Sequence, residues 1–439
     1  MRVIAFRCDG GPRVGAGHVA RSLQIALAFR GGGDQVVFAG RFEGVARQLL
    51  EEAGVEMIST VTGGADAVVV DSYDIPGGEF TSLVQSLPVV AISDGGPVPE
   101  GTLVLDYHVD AAGAALAGPD YAPVSPRFVA ARRARGFSRA LVTLGGGDAG
   151  AGVREAAVTA LRSHGLQVFE PSGAAGLHDE AREADVALSA AGVTAYELAC
   201  AGVPAGIVPI AGNQERVARA FGERGLAVSG DHPPSLASAL ADPDRRSAIA
   251  ASGPAAVDGY GAFRVRDAVR GAFVGAALPP VLRYRPASAE DRDAQLTWRN
   301  DPGSRAGSWD TGEIDPAEHA TWFDGVLADP DRTLLVIQTE AGRAGSVRFD
   351  TDGEEAEISV MVSPALRGEG VGKRAIRESS ELYLAAHPEI ERVRAEIRED
   401  NPRSGRVFGQ VGFQRQLRRS PEGHPVFTLD RAALASSAA

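Results

Sequence analysis

Cysteine is scarce in this chain of 439 residues, which has Cys8 and Cys200 and no other. Cysteines this far apart lack the spacing of metal ligands, and so few of them indicate a reducing compartment, which we expect to be the cytoplasm. Basic residues are also outnumbered: 44 Lys and Arg stand against 57 Asp and Glu, a net charge of −13. That balance argues against nonspecific binding to nucleic acids or membrane surfaces, although a local basic pocket for a phosphate is compatible with it.

Long apolar runs are missing as well. No stretch approaches the roughly 20 apolar residues of a membrane span, and no signal peptide precedes the first predicted strand, so we expect no membrane partner. No internal repeat is present. The chain has enough length for two or three domains, and its 44% hydrophobic and 23% charged residues are ordinary for a globular enzyme.

Residues 1–135 alternate short apolar strands with helical segments. This pattern predicts an α/β fold with a parallel sheet covered by helices on both faces. Two of the predicted strands end in an aspartate, Asp71 and Asp94. Ligands gather at that edge of such sheets, although an aspartate there more commonly caps the next helix.

The stretch Phe6–Arg21, FRCDGGPRVGAGHVAR, joins the first predicted strand to a helix expected over Val19–Phe29. Gly15-Ala16-Gly17 leaves backbone amides accessible, and the start of a helix favours an anion. His18 lies in the first helical turn, where the helix dipole favours a neutral imidazole that suits a general base. The turn is not the G-x-G-x-x-G of a dinucleotide site, and a purely structural turn with a solvated histidine is the alternative.

The order R-x-D, short loop, G-x-G-H and an arginine three residues later resembles the start of the nucleotide-sugar hydrolases of pseudaminic acid biosynthesis. That family has a GT-B fold, with two Rossmann-like lobes, and removes UDP from UDP-2,4-diacetamido-2,4,6-trideoxy-β-L-altropyranose. The resemblance implies lobes over residues 1–135 and 136–272, metal-independent hydrolysis with inversion, and His18 as the catalytic residue. It implies substrate contacts in the first lobe from Asp9, Gly15, Gly17, Arg21, Tyr73 and Tyr121.

The second lobe resembles the nucleotide-diphosphate site of the same fold. Its glycine run and the small-residue turn before a helix would hold the diphosphate through amides, while Glu197 would accept from the ribose hydroxyls and an N-Q-E element would face the sugar. The implied contacts are Gly146, Gly147, Ala190, Gly192, Thr194, Glu197, Asn213 and Gln214. The chain departs from the family at Ser93-Asp94-Gly95 and Asp106-Tyr107-His108, which align with paired Asp and with Asn-x-Asn, so the sugar pocket is expected to differ.

After a short stiff linker predicted over residues 273–281, antiparallel strand patterns lead to Arg367–Gly372, an R-x-x-G-x-G motif between a strand and a helix. Glycines and successive amides at a helix start bind a pyrophosphate. The motif resembles the acetyl-CoA site of GNAT N-acetyltransferases and implies an α+β domain over residues 282–432. The implied acetyl-CoA contacts are Met361, Val362, Arg367, Gly368, Gly370, Val371, Gly372, Lys373, Asn401, Ser404 and Phe408.

A further set resembles GNAT members that acetylate the 4-amino group of a UDP-linked aminosugar: Trp298, Arg299, Asn300, His319 and Trp322. For the tryptophans, core packing is the alternative. Glu357 is the expected base and His319 the alternative one. Phe408 stands where many GNAT enzymes have a tyrosine that acts as the general acid. Ser404, a water or bulk solvent is then left to protonate the thiolate of the departing CoA.

Together these features predict a bifunctional cytoplasmic enzyme that N-acetylates a UDP-4-amino sugar and then hydrolyses UDP from the product, with acetyl-CoA as co-substrate and no metal. Three alternatives stay open at this point. One is that the first unit acts as a glycosyltransferase of the same fold, and another is that it is a nucleotide-sugar-binding module that presents substrate to the acetyltransferase. The third is that the GNAT domain acts on protein N-termini. The sequence predicts no nucleic-acid partner and no particular oligomeric state.

Overall fold

The computed structural model describes residues 1–11, 14–61, 63–71, 75–93, 98–144, 151–171 and 177–432, and it forms two compact units, Met1–Leu278 and Pro279–Ala439. Three residues predicted to bind substrate, Tyr73, Gly146 and Gly147, lie outside the described ranges, as does Asp94. No helix in the described part is long and apolar enough to cross a membrane.

The first unit begins with a seven-stranded sheet in the order β3-β2-β1-β4-β5-β6-β7, and its neighbouring strands all pair in parallel. Its strands are β1 Val3–Cys8, β2 Gln35–Ala39, β3 Glu56–Ile58, β4 Ala67–Asp71, β5 Val89–Ile92, β6 Leu103–Asp106 and β7 Leu116–Ala117. Its helices are α1 Gly17–Gly31, α2 Gly44–Glu52, α3 Gly77–Ser86 and α4 Arg127–Ala130. Strand β4 is buried along its whole length, as a central parallel strand with both faces covered requires.

A second parallel sheet in the same unit has five strands in the order β12-β11-β10-β8-β9. Its strands are β8 Arg139–Thr143, β9 Gln167–Phe169, β10 Val186–Ala190, β11 Ala205–Val208 and β12 Val228–Ser229. Its helices are α5 Ala151–Ser163, α6 Leu177–Glu183, α7 Val193–Cys200, α8 Glu215–Glu223, α9 Pro233–Leu240, α10 Pro243–Ala256 and α11 Gly261–Ala272. Helix α11 returns to the first sheet's layer, where Arg270 Nη2 lies 2.8 Å from Asp34 Oδ2.

The second unit contains a seven-stranded sheet in the order β13-β14-β15-β16-β17-β19-β18. Its strands are β13 Arg283–Pro286, β14 Arg332–Thr339, β15 Gly342–Asp352, β16 Glu355–Val362, β17 Arg392–Glu396, β18 Gln414–Arg419 and β19 Pro425–Asp430. Its helices are α12 Arg292–Asn300, α13 Pro302–Gly307, α14 Pro316–Ala328, α15 Val371–Ala386 and α16 Pro402–Gln410. Strands β16 and β17 pair in parallel, and the other neighbours are antiparallel.

The two parallel sheets followed by a mixed sheet confirm the predicted α/β class. Helix α1 begins at Gly17, two residues before the predicted start, and therefore includes His18 in its first turn. In both parallel sheets the carboxyl ends of the strands lie at one edge, and the turns that follow them lead into helices. That edge carries Asp71 at the end of β4 and Asp106 at the end of β6.

Candidate functional sites

The turn between β1 and α1 has open space around two predicted glycines. Gly15 has φ of +78°, a conformation that L side chains rarely adopt, and no heavy atom lies within 4 Å of the Cβ position at Gly15 or Gly17. Asp9 fixes the start of this turn, because its carboxylate accepts from the Arg7 side chain at 2.8 Å and from the Arg41 backbone N–H at 2.9 Å. Asp9 therefore shapes the edge of the site through two contacts within the protein.

His18 is buried and makes a short contact with the end of strand β4. Its Nδ1 atom lies 2.6 Å from Asp71 Oδ1. Arg21, one turn further along α1, donates to both carboxylate oxygens of Asp71 at 2.6 Å, and the Ser22 hydroxyl adds a third donor at 3.2 Å. Three side chains are thus held around one buried carboxylate.

Two contacts compete for Nδ1 of His18, and the shorter one decides the tautomer. Arg21 Nη2 lies 3.2 Å from Nδ1, but an arginine can only donate, whereas the Asp71 carboxylate at 2.6 Å can only accept. Burial opposes ionisation of Asp71, yet the Arg21 charge and the hydrogen bonds from Arg21 and His18 hold its pKa below the usual value. Nδ1 therefore carries the hydrogen, and the basic lone pair of the neutral ring is on Nε2.

The end of strand β6 adds a second histidine and carboxylate. Asp106 Oδ1 lies 2.6 Å from Nδ1 of His108, and Asp106 Oδ2 lies 3.2 Å from Nη2 of Arg216 on α8. Between them in sequence, the Tyr107 hydroxyl accepts from Arg21 Nη1 at 2.8 Å. The segment Asp106-Tyr107-His108 thus contacts the His18 network on one side and a helix of the second sheet on the other.

Four residues predicted to bind the nucleotide lie at or just before the start of α7. Ala190 ends strand β10, Gly192 is the residue before the helix, and Thr194 and Glu197 lie in its first two turns. Burial raises the pKa of the Glu197 carboxyl to about 7, and a hydrogen bond from the Thr194 side chain only partly offsets this. Few protein groups compensate for the burial of this carboxylate, so it is suited to accept hydrogen bonds from the hydroxyl groups of a ligand.

Three other predicted contacts in the first unit differ in exposure. Asn213 is exposed in a short 3-10 turn, whereas the Oε1 atom of Gln214 accepts from the backbone N–H of Ile210 at 3.0 Å and so fixes that loop. Tyr121 is buried in another 3-10 turn, Pro119–Tyr121, after β7. The structure therefore places Asn213 where a ligand has access and gives Gln214 a contact within the protein.

The predicted acetyl-CoA motif lies between β16 and α15. Gly368 and Gly370 have φ of +91° and +82°, and no heavy atom lies within 4 Å of their Cβ positions. Helix α15 begins at Val371, and Gly372 and Lys373 follow in its first turn, with Lys373 exposed. The first amides of a helix have no acceptor within it, so this open turn suits a pyrophosphate.

Arg367 of this motif is engaged with other parts of the unit. Its guanidinium donates to Asp301 at 2.5 Å and to the Ser304 hydroxyl at 2.7 Å. Both partners belong to the segment around α13, so the arginine ties that segment to the glycine turn. Direct contact between Arg367 and a cofactor remains a prediction.

Strands β16 and β17 pair only at their beginnings. The paired residues are Glu355 to Glu357 with Arg392 to Arg394, so the later part of β16, which includes Met361 and Val362, does not pair with β17. Its backbone groups on that side can bond to an extended ligand. The open part of β16 leads directly to the glycine turn, so the two form one continuous surface.

A cavity of about 350 Å³ adjoins this part of β16. Helices α12 and α14 cover it, and the sheet forms its floor. Its lining is mainly apolar and includes three predicted residues of the acceptor set together with Met361. The lining residues are Gln295, Arg299, Ile314, Glu318, His319, Trp322, Leu334, Ser346, Arg348, Ser359, Val360 and Met361.

Two nitrogen atoms of the cavity lining are buried without a hydrogen-bond partner among the described residues: Nδ1 of His319 and Nη1 of Arg299. His319 is only 3% exposed, and its ring packs against Trp322 with centroids 5.3 Å apart. Burial, with the nearby charges of Arg292 and Arg299, lowers the pKa of His319. A neutral buried imidazole with an unsatisfied nitrogen costs free energy unless a ligand bonds to it.

Glu357 lies on the same face of β16 as Ser359 and Met361 but does not line the cavity. Its carboxylate accepts from Arg394 Nη2 at 2.5 Å. Burial raises the pKa of Glu357, and the Arg394 charge opposes that rise. Of the two bases weighed from the sequence, His319 is therefore the one that the cavity contains.

The two remaining predicted residues of the acceptor set are Trp298, which packs in the core, and Asn300, which holds a loop in place. Trp298 is 8% exposed and belongs to the core, as in the alternative interpretation of that residue. The Asn300 side chain bonds both backbone groups of Ile314, at 2.9 Å each, and Ile314 lines the cavity. Asn300 thus positions the wall of the cavity.

Helix α16 holds the last three predicted cofactor residues. The Asn401 side chain caps it by accepting from the Ser404 backbone N–H at 3.2 Å. Phe408 is buried, and its ring meets that of Phe413 edge to face. Phe408 has no hydroxyl to donate, and its contact with a cofactor remains a prediction.

In the described ranges no three or more His, Cys, Asp or Glu side chains are grouped so that they could hold a metal ion. Asp71 has no role in the site predicted from the sequence, because an aspartate at the end of a strand more commonly caps the next helix. Its partners His18 and Arg21 are spaced three residues apart on α1, and that spacing next to a strand-end aspartate is the signal that could have found it.

Known proteins resemble the C-terminal part of the chain. Residues 282–414 match the family described as an acetyltransferase (GNAT) domain. YwnH of Bacillus subtilis (strain 168), a candidate phosphinothricin acetyltransferase, is 29% identical over 135 residues, which are 28% of this chain and 80% of YwnH.

Two solved structures are similar as well. The aminoglycoside acetyltransferase AAC(6')-Ib in complex with coenzyme A and kanamycin is 19% identical, with a TM-score of 0.32 over 36% of this chain and 100% of that one. The spermidine N-acetyltransferase of Vibrio cholerae in complex with CoA and spermine is 12% identical, with a TM-score of 0.31 over 35% of this chain and 97% of that one. From the family match, residues 282–414 are a GNAT acetyltransferase domain within a larger α/β chain.

Proposed function

We propose that this chain catalyses two consecutive steps on one nucleotide sugar. The GNAT domain N-acetylates a UDP-linked 4-amino-4,6-dideoxy sugar with acetyl-CoA, and the first unit hydrolyses UDP from the resulting diacetamido sugar. The substrate of the second step is UDP-2,4-diacetamido-2,4,6-trideoxy-β-L-altrose or a close relative. We expect both sites to work in the cytoplasm, on a fold of the GT-B type followed by the GNAT domain.

The observation that carries the acetyl transfer is the cavity with the two unpartnered nitrogens of His319 and Arg299. The glycine turn before α15 and the unpaired part of β16 fit acetyl-CoA, because they offer amides and open space to a pyrophosphate and its extended chain. Acetyl-CoA supplies an acetyl thioester there. His319 accepts the proton that an ammonium group must lose before it can act as a nucleophile.

Arg299 and Arg348 are two cationic side chains of a lining that also includes Glu318. Arg348 Nη2 donates to Asp350 at 2.8 Å. The two guanidinium groups suit an acceptor with phosphates. Arg299 Nη2 donates to the backbone oxygen of Asp310 at 2.7 Å, which directs the guanidinium along the cavity wall and leaves Nη1 for an acceptor oxygen. Arg348 lies 5.6 Å from the centre of the Trp322 ring. A sugar ring packed on Trp322, with its diphosphate toward the arginines, satisfies both requirements.

The hydrolysis is supported by the buried His18 and Asp71 pair beside the open glycine turn. The Nε2 atom of His18 takes a proton from water, whose oxygen forms a bond to the anomeric carbon. The bond from that carbon to the phosphate oxygen breaks, and its electron pair leaves with UDP. Attack from the side opposite UDP inverts the anomeric centre, and amides at the start of α7 stabilise the charge on the diphosphate.

The two steps can be tested separately. Release of free CoA is measured with the UDP-4-amino sugar, and with kanamycin, spermine and an N-terminal ribosomal peptide as competing acceptors. Release of UDP is measured with the fully acetylated UDP-sugar, with and without a sugar acceptor. We expect the UDP-amino sugar to be the best acetyl acceptor and water to be the acceptor in the second step. Preference for a peptide, or a glycoside product in place of the free sugar, contradicts the respective assignment.

A further inference from the structure

The guanidinium group of Arg367 is bonded to one short segment of the acetyltransferase domain, residues 301–308, here called the α13 segment. Its Nη1 atom donates to Asp301 Oδ2 at 2.5 Å, and its Nη2 atom donates to the Ser304 hydroxyl at 2.7 Å. The hydrogen bond from Arg367 lowers the pKa of Asp301, so the carboxylate is ionised at neutral pH. The contact is close, because a Cβ atom at Gly303 would lie 2.5 Å from Nη1.

The other end of the α13 segment is held by residues that follow β17. Arg398 Nη1 donates to the backbone oxygen of Ser308 at 2.6 Å. A Cβ atom at Gly307 would lie 3.1 Å from Nδ2 of Asn401, the cap residue of α16. Because the later parts of β16 and β17 do not pair, the α13 segment joins the two sides of the opening proposed for the extended arm of acetyl-CoA.

The α13 segment is continuous with the wall of the acceptor cavity. It directly follows Asn300, whose side chain holds the backbone of Ile314 in the cavity lining. It ends two residues before Asp310, whose backbone oxygen accepts from Arg299 Nη2. None of the six residues of α13, all of them in the described part of the chain, is buried. Apolar packing therefore contributes little to the position of this helix, which depends on the polar contacts around it.

We propose that Arg367 is a positioning residue of the acetyl transfer and that its side chain does not bind the pyrophosphate. Through Asp301 and Ser304 it fixes the α13 segment, and with it the cavity wall that carries Arg299, relative to the glycine turn. The acceptor amine and the thioester are thereby held in register, while the amides of the turn bind the pyrophosphate. This inference rests on acetyl transfer by the GNAT domain and does not depend on the identity of the sugar.

An acetyl donor without a pyrophosphate separates the positioning role from direct binding. Arg367→Gln and Asp301→Asn, which keeps a cap for α13 but removes the charge, are assayed with acetyl-CoA and with S-acetylpantetheine. With either donor we expect kcat/KM for the acceptor to fall by about tenfold or more in both variants. Affinity for CoA, measured by calorimetry, should change by less than about threefold. The double variant should lose no more than the weaker single variant, because the two residues act as one unit.

Gly303→Ala tests the same contact without removing a polar group. The added methyl group displaces the Arg367 guanidinium, so this variant should reproduce the loss in Arg367→Gln. Gly325→Ala is the matched control, because Gly325 is also a helical glycine but has open space at its Cβ position. Arg418→Gln is the control for loss of an exposed arginine. Both controls should keep the wild-type kinetics.

The acceptor in these assays is the one that the wild type acetylates fastest among the UDP-amino sugar, kanamycin, spermine and the peptide. Hydrogen exchange of residues 301–308 with CoA bound, followed by mass spectrometry, needs no acceptor, and we expect it to be faster in Arg367→Gln and Asp301→Asn. Unchanged kinetics and exchange in these variants overturn the positioning role. A tenfold loss of CoA affinity in Arg367→Gln alone, with full activity on S-acetylpantetheine, assigns Arg367 to the pyrophosphate and also overturns it. If the wild type does not acetylate the UDP-amino sugar, the proposed function fails, while CoA affinity and exchange still decide on Arg367.

Discussion

The Nδ1 atom of His18 and the Oδ1 atom of Asp71 lie 2.6 Å apart, although 53 residues separate them in the chain. The contact joins the first turn of α1 to the end of β4, the strand next to β1 in the sheet. It fixes the ring orientation and the tautomer that a base at Nε2 requires. A glycine turn with a histidine is thereby combined with a buried carboxylate into the arrangement that we propose for hydrolysis.

Replacement of that carboxylate tests the arrangement. In Asp71→Asn the amide cannot hold the same tautomer, and Arg21 loses its buried charge partner, so we expect UDP release to fall by about 10² to 10⁴. The free energy of unfolding should fall by about 3 kcal/mol for the same reason. Ser22→Ala is the matched control, because it removes the 3.2 Å hydroxyl contact to the same carboxylate, together with a hydrogen bond to Cys8, and leaves His18 and Arg21 in place. Rates of UDP release are measured at substrate concentrations below and well above KM, on protein shown to be folded. Full activity in Asp71→Asn contradicts the assignment of His18 as the base.

Glu197 gives a prediction about stability and pH. Its pKa is about 7 in the folded chain and about 4.5 when exposed, so the folded state holds an extra proton between these values. Stability contributed by this group is therefore lost as pH rises from 4.5 to 7, by up to about 3 kcal/mol. Glu197→Gln avoids that loss, so its stability relative to the wild type should increase between pH 5 and pH 8.

Urea unfolding followed by circular dichroism measures this difference, with the exposed-residue variant Glu223→Gln as control. The three tryptophans, Trp298, Trp309 and Trp322, all lie in the second unit, so their fluorescence reports that unit separately. A pH-independent difference between Glu197→Gln and the wild type contradicts the raised pKa. Saturating UDP should reduce the difference if the ribose hydroxyls bond the carboxylate.

In the acetyltransferase domain, His319→Gln should lower the rate of CoA release by about 10² to 10⁴. Because its pKa lies below the usual value, His319 remains a neutral base at lower pH than an exposed histidine, so the wild type should keep activity into mildly acidic solution. The variant should lose that part of the pH profile. His424→Gln, whose ring contacts Trp309 and not the cavity, is the control. If His319→Gln keeps the wild-type pH profile, His319 is not the base. The pH profile of Glu357→Gln is then measured next.

Two glycines with similar conformations separate cofactor binding from stability. Gly370 and Gly353 have φ of +82° and +60°, and both have open space at the Cβ position. Alanine at either site should cost about 1 kcal/mol of stability, because the left-handed conformation strains any L side chain. Only Gly370→Ala places a methyl group in the turn proposed for the pyrophosphate, so it alone should raise KM for acetyl-CoA, by at least tenfold. Equal KM values in the two variants contradict the cofactor site.

Local features could be predicted from the sequence. The alternation of apolar strands and helices predicted the parallel sheet of residues 1–135, and the resemblance implied the second lobe. Glycines between a strand and a helix marked the turns at Gly15 and Gly370, because such backbone conformations need glycine. The histidine in the first turn of α1 was likewise visible from its position. Each of these predictions depends on a few consecutive residues.

Contacts between distant residues could not be predicted in this way. Asp71 looked like a helix cap because its partner is 53 residues away, and the bond between Glu357 and Arg394 depends on the parallel pairing of β16 with β17. The same holds for Arg367, whose guanidinium bonds Asp301. The choice of His319 over Glu357 needed the cavity, which is formed by residues from five separate elements and one loop.

The most direct test of the account is one incubation of the purified chain with UDP-4-amino-4,6-dideoxy-β-L-AltNAc and acetyl-CoA, followed by mass spectrometry, with His18→Ala alongside. The account predicts free diacetamido sugar and UDP from the wild type, and accumulation of the UDP-linked diacetamido sugar in the variant. Acetylation without UDP release by the wild type would contradict hydrolysis of this sugar by the first unit.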